Sequence, residues 1–124
     1  YIQGYGGGER LEDCIFCKIT KGQISSHIIY EDDEVIAFND ANPQAPIHFL
    51  VIPKEHIEST NYIDEENSYL IGHIFEIINK LAKEFGIDSE GYRVVNNCGE
   101  NGGQTVSHIH FHLLAGRQLL WPPG

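Results

Sequence analysis

The stretch Ser107-His108-Ile109-His110-Phe111-His112-Leu113-Leu114 constrains this chain more than any other. Polar and apolar residues alternate from His108 to Leu113, the period of a half-buried β-strand. Three imidazoles then leave on one face, and Ile109, Phe111 and Leu113 on the other. Residues two apart on a strand are separated by about 6.5–7 Å, so the rings form a row over one shared space. Such a row suits a metal ion, or a phosphate that one imidazole attacks while the others donate. The plain alternative is three solvent-facing histidines on a half-buried strand, an unusual use of a residue of intermediate burial.

The loop ahead of the row favours the phosphate. Gly102, Gly103, Gln104, Thr105 and Ser107 bring backbone N–H groups, an amide and hydroxyls close to the imidazoles. Glycines let a backbone approach a ligand, and successive N–H groups make an anion nest, although a glycine-rich hairpin loop would read the same way on its own. A neutral imidazole is nucleophilic near pH 7, and neighbouring donors stabilise the charge that builds on an attacked phosphoryl group. A phosphohistidine-type intermediate, hydrolysed by water, is the expected route. No acidic general base is obvious beside the row.

The length of 124 residues allows one domain with a single core. A net charge of −10 lacks the footprint of a phosphate-backbone binder, which argues against a nucleic-acid partner. No apolar run approaches the roughly 20 residues of a membrane span, so no membrane partner is expected. No secretory signal is visible, and a cytoplasmic location follows as the default. Methionine is absent even from the first position, so residues 1–13 read as a flexible tail or expression remnant and 14–124 as the domain.

The cysteines are Cys14, Cys17 and Cys98, an odd count that argues against a disulfide framework. Cys14 and Cys17, with two histidines drawn from His56, His48 and the row, would make a tetrahedral zinc site. Without those histidines they are two small apolar residues in a packed turn. Nothing before Cys14 reads as the strand a thioredoxin-like motif requires.

Taken in order, residues 14–19 predict a helical turn ending at Gly22, and Ile28–Tyr30 and Val35–Phe38 two strands joined by a polar hairpin. Ile47–Ile52, bounded by prolines, predicts a more buried strand in which His48 is a core residue unless that strand borders the histidine strand. Leu70, Ile71, Ile74, Phe75, Ile78, Leu81, Ala82 and Phe85 follow helical spacing, predicting a helix over Asp64–Phe85 with Asp64 as N-cap and Gly86 as stop. His73 on that helix is a surface or packing residue. Tyr92–Asn96 is a further strand. Five strands in hairpin-like succession and one long helix give an α+β antiparallel sheet with the helix on one face.

These residues carry a family resemblance. His108 to Leu114 resembles the His-x-His-x-His-x-x signature of the histidine-triad (HIT) nucleotide-binding proteins. Cys-Ile-Phe-Cys-Lys-Ile at 14–19, Pro-Gln-Ala-Pro-Ile-His-Phe-Leu-Val-Ile-Pro-Lys at 43–54, Gly-Gly-Gln-Thr-Val at 102–106 and Gly-Arg-Gln-Leu-Leu-Trp-Pro-Pro-Gly at 116–124 extend it. The last of these is similar to the Hint branch, the purine nucleoside phosphoramidases. The resemblance implies a five-stranded antiparallel sheet with one long helix, and a homodimer with a continuous ten-stranded sheet. It also implies hydrolysis of adenosine 5′-phosphoramidates and aminoacyl adenylates, releasing AMP or GMP. Dinucleoside polyphosphate hydrolysis, or nucleotide binding by a scaffold protein with vestigial hydrolysis, are the alternatives.

By the same resemblance His110 is the nucleophile, and His112 contacts the phosphate and leaving group. His48 orients the nucleophile through a relay, and His108 supports it. Gly103, Gln104, Thr105 and Val106 lie on the phosphate side with Asn97 near the α-phosphate. Ile15, Phe16, Ile19, Phe38, Asn39 and Asp40 form the purine and ribose pocket, Asp40 taking the ribose hydroxyls, and Trp121 sits near the partner subunit's site. Zinc-bearing relatives imply Cys14, Cys17, His56 and His108 as ligands of a structural zinc, with no organic cofactor.

Overall fold

The computed structural model describes residues 13–124; the expected leading tail lies outside the described residues except for Asp13. The elements are α1 (Ile15–Thr20), β1 (Ile28–Glu31), β2 (Val35–Asn39), β3 (Ile47–Pro53), a 3₁₀ turn (Thr60–Tyr62), α2 (Ser68–Glu84), β4 (Arg93–Val95) and β5 (Phe111–Ala115). The strands form one antiparallel sheet in the order β1-β2-β3-β5-β4. The expected α+β fold is present. The hairpin succession breaks only between β3 and β4, because β5 inserts between them.

Both faces of the sheet are covered. Val35, Ala37, Phe49, Val51, Ile109, Phe111, Leu113 and Ala115 pack with Leu70, Ile74, Ile77, Ile78 and Leu81 of α2. On the opposite face Ile36, Phe38, Leu50 and Ile52 meet Cys14, Phe16, Cys17 and Ile19 from the start of the chain. Two covered faces explain why β2 and β3 read as continuous apolar runs. The expectation of a helix on one face therefore needs α1 added on the other.

Two boundaries and one face differ from the sequence reading. The helix begins at Ser68, not Asp64: Asp64 accepts the backbone N–H groups of Glu66 and Asn67 at 2.9 and 3.1 Å, holding a turn ahead of the helix. Its C-terminus closes as a Schellman motif, Ile87 N–H to Ala82 O and Gly86 N–H to Lys83 O. Phe75 and Phe85, expected on the core face, are half exposed while Ile77 is buried there; each phenyl still meets a core ring edge-on, Phe111 and Phe49 respectively. The histidine strand starts only at Phe111, because β3 pairing ends at Val51–Phe111 and Ile109 N–H goes instead to the carbonyl of Ile57.

Candidate active site and metal centre

The row does not face solvent. His108 is 0% and His110 4% exposed, because α1 and the Cys14 turn lie over that face. Their side chains divide into two centres.

The first is built by the N-terminal turn. Cys14 caps α1 and accepts the N–H of Cys17 on its sulfur. His108 Nδ1 lies 3.4 Å from Cys14 Sγ and 3.6 Å from Cys17 Sγ, and His56 Nδ1 lies 3.2 Å from Cys17 Sγ. His108 Nε2 is 2.8 Å from the carbonyl of Pro53. A carbonyl only accepts, so Nε2 carries the proton and Nδ1 turns its lone pair to the sulfurs, as in a metal-binding histidine whose other ring nitrogen donates to a carbonyl. Burial lowers His108 to about 3, keeping the ring neutral. Burial likewise pushes the Cys14 thiol up to about 12, so a cation is what would favour its thiolate. Ligand atoms of Cys14, Cys17, His56 and His108 all lie within 4.8 Å of one another. This S₂N₂ donor set fits zinc, and no fifth polar group from the row enters it.

The second centre holds the other histidines. His110 Nδ1 donates to the carbonyl of His108 at 2.7 Å, which leaves the in-plane lone pair on Nε2. Burial lowers its pKa, against the pull of that carbonyl and of Asp40, so the ring is neutral. Phe16 stands edge-on to it at 5.1 Å. Because β3 pairs with β5, His48 is brought to His112, and its Nε2 lies 2.9 Å from His112 Nδ1. The N–H of Gln44 donates to His48 Nδ1 at 3.0 Å, so the His48 proton sits on Nε2 and is given to His112. His112 in turn carries its proton on Nε2. Burial, helped by His110 and His48 and opposed by Asp40, brings His112 down to about 4. His48 meets His112 rather than His110, so any relay from it enters through His112. Asp40, an acid that the row alone did not suggest, places Oδ2 3.4 Å from His48 Nε2. Asp40, His48 and His112 are close enough to hold a cation, but the protonated Nε2 makes this trio a hydrogen-bond array instead of a ligand set.

Phe16, Ile19 and Phe38 lie together in the buried cluster beside His110, with Ile15 45% exposed at its rim. Asn39 follows them at the end of β2, its amide 3.2 Å from His27. Gln104 is buried and its side chain shapes the loop: Oε1 accepts from Gly99 N–H, and Nε2 donates to the carbonyls of Glu58 and Val106. Gly103 and Thr105 flank it at the surface, and Asn97 and Val106 are half-buried. Trp121 is exposed, with the Arg93 guanidinium 5.9 Å from its ring. Two residues of the site had no sequence signal. Asn96 Nδ2 donates to the His110 carbonyl at 2.9 Å, and Thr60 donates to the other end of its amide.

Residues 13–119 match the family profile described as "Scavenger mRNA decapping enzyme C-term binding". The fold superimposes with a TM-score of 0.88 on a HIT family hydrolase from Legionella pneumophila Philadelphia 1, at 48% identity over 90% of this chain and 99% of that one. The chain belongs to the histidine-triad family. A histidine triad protein from Clostridium difficile is similar at 54% identity and a TM-score of 0.86, over 90% of this chain and 96% of that one. A "14 kDa zinc-binding protein" of Zea mays is 46% identical over 119 residues, 93% of this HIT chain and 92% of the relative. No helix among the described residues of this HIT protein is long and apolar enough to cross a membrane.

Proposed function

We propose that the chain is a cytoplasmic nucleotide hydrolase of the Hint branch. It cleaves the P–N bond of purine nucleoside 5′-phosphoramidates, and the acyl-phosphate bond of aminoacyl adenylates, through a covalent nucleotidyl-His110. The observation that carries this reading is the opposed pair of tautomers: His110 offers a lone pair on Nε2 while His112, two residues on, offers an N–H there.

His110 Nε2 forms the bond to phosphorus as the bond to the leaving nitrogen breaks, and the departing amine takes up a proton from the medium. His112 Nε2–H donates a hydrogen bond where charge develops on the phosphoryl group. Water then attacks phosphorus, the P–N bond to His110 breaks, and the proton released by water returns to the medium with the nucleoside monophosphate. The Phe16, Ile19 and Phe38 cluster supplies an apolar bed for a purine, and Asp40 an acceptor for ribose hydroxyls. Cys14, Cys17, His56 and His108 would hold zinc, which when bound cross-links the N-terminal turn to the segment carrying the nucleophile. The working unit is a homodimer with the two sheets joined edge to edge, so that Trp121 approaches the partner's site.

Steady-state hydrolysis of adenosine 5′-phosphoramidate tests this. His110→Ala is expected to abolish turnover while AMP binding survives in calorimetry. Appreciable turnover in that variant would overturn the covalent mechanism, and an inactive, AMP-binding wild type would favour the scaffold alternative.

A further inference from the structure

β5 ends at Ala115, and the chain turns at once. Gly116 has φ +96°, and a Cβ there would come 2.9 Å from Cβ of Pro46, so the turn closes against the β2–β3 loop only with glycine. Arg117 is thereby laid over that loop. Its Nε and Nη2 lie 3.3 and 3.0 Å from the carbonyl oxygen of Gln44, a two-pronged grip on one acceptor, and Nη1 is 3.2 Å from the carbonyl of Gln118. The Gln44 amide meanwhile reaches the carbonyl of Asn42 at 3.1 Å. Residue 44 is thus held from its carbonyl side by the C-terminal segment, and its own N–H is the group that faces His48 Nδ1.

That N–H makes the order of protons directional. A neutral His48 with its proton on Nδ1 would set two donors against each other, so as long as residue 44 stays in place the proton stays on Nε2. His112 must then accept at Nδ1 and carry N–H at Nε2. If the loop moves away, both rings gain access to the opposite tautomer, and His112 loses the donor it turns to the phosphate.

We propose that Arg117 is a positioning residue for His112: by gripping the Gln44 carbonyl it fixes the backbone N–H that sets the tautomer of His48 and, through His48, that of His112. The consequence for turnover rests on the function proposed above; the tautomer itself does not.

Arg117 is exposed, so its truncation leaves the core intact. Long-range ¹H–¹⁵N spectra of the uniformly labelled full chain at neutral pH report which imidazole nitrogen is protonated. In the wild type His48 and His112 are expected to carry their protons on Nε2. Arg117→Ala is expected to add Nδ1–H populations at both rings and to lower kcat on adenosine 5′-phosphoramidate by roughly tenfold with KM little changed, less than the about 100-fold that a displaced reacting group costs. Arg117→Lys, which keeps one donor for the Gln44 carbonyl, should return the spectrum to the wild-type pattern. Ring signals of Arg117→Ala identical to the wild type at both histidines would overturn the proposal, whatever happens to turnover. A tautomer shift in a protein that never hydrolyses phosphoramidates would uphold this proposal and remove the functional reading instead.

Discussion

His108 gives its ring to the two thiols and its backbone carbonyl to the ring of His110, at 2.7 Å from Nδ1. One residue therefore stands in both the candidate metal centre and the candidate nucleophile's support. Disturbing the first is expected to reach the second through the backbone.

The purified protein is expected to carry about one zinc per chain by elemental analysis. Cys17→Ser or His56→Ala should lower that occupancy and cost on the order of several kcal/mol in thermal or denaturant unfolding, since metal affinity at a structural site is folding free energy. Loss of metal from either variant with an unchanged melting temperature would separate the metal centre from stability.

Asn96 is the donor to the carbonyl of His110 itself. Asn96→Ala leaves that carbonyl without this partner, which should cost about 1–3 kcal/mol of stability. kcat should fall while KM stays close to the wild-type value, because the nucleophile and not the purine bed is disturbed. A raised KM with normal kcat would assign Asn96 to substrate binding instead.

His73 on α2 pairs with Asp32 in the β1–β2 turn, Nε2 to Oδ2 at 2.7 Å. The bond to Asp32 raises the His73 pKa above its ordinary value despite partial burial. Burial works to raise Asp32, but the Glu34 N–H, the His73 ring, the Val35 N–H and the Tyr30 hydroxyl outweigh it and hold the carboxyl well below the carboxylate range. The His73 contribution is complete below about pH 6.5 and fades as pH rises through its raised pKa; the Asp32 contribution is complete above about pH 4 and fades as pH falls. His73→Ala should therefore destabilise by about 1 kcal/mol near pH 5.5 and by less in mildly alkaline buffer, the modest scale of a partly exposed pair. An equal loss in both buffers would show that packing, not charge, is what His73 supplies.

Gly102 has no room for a side chain: a Cβ would stand 2.4 Å from the carbonyl oxygen of Cys98. Gly102→Ala must shift backbone in the loop that carries Gly103, Gln104 and Thr105, at a cost of about 1–3 kcal/mol. Weaker AMP binding by calorimetry is expected from the displaced loop; unchanged affinity would place phosphate recognition elsewhere.

The alternation from His108 to Leu113 was enough to read one polar face and one core face, and the run Ile47–Ile52 enough to read a buried strand. Side-chain periodicity reports which way a residue points. It is silent on contacts made through the backbone, and those decide the tautomers: Gln44 N–H on His48, the His108 carbonyl on His110 and the Pro53 carbonyl on His108. Arg117 and Asn96 leave no mark in the pattern for the same reason, as each bonds a carbonyl that any residue would provide. The early start given to α2 came from Asp64, whose carboxylate serves a turn in place of the helix N-terminus. The cover over the histidines was illegible because α1 is only six residues long and meets the sheet from the far end of the chain.

The last strand fills an interior slot, between β3 and β4. A chain emerging from the ribosome thus shows an open, apolar β3 edge from the synthesis of Pro53 until that of Phe111, and the row arrives after Cys14, Asp40, His48, His56 and Asn96. Premature termination just ahead of that strand would leave a sticky, unpaired edge and a site without His112, whereas the finished polypeptide gains the two together.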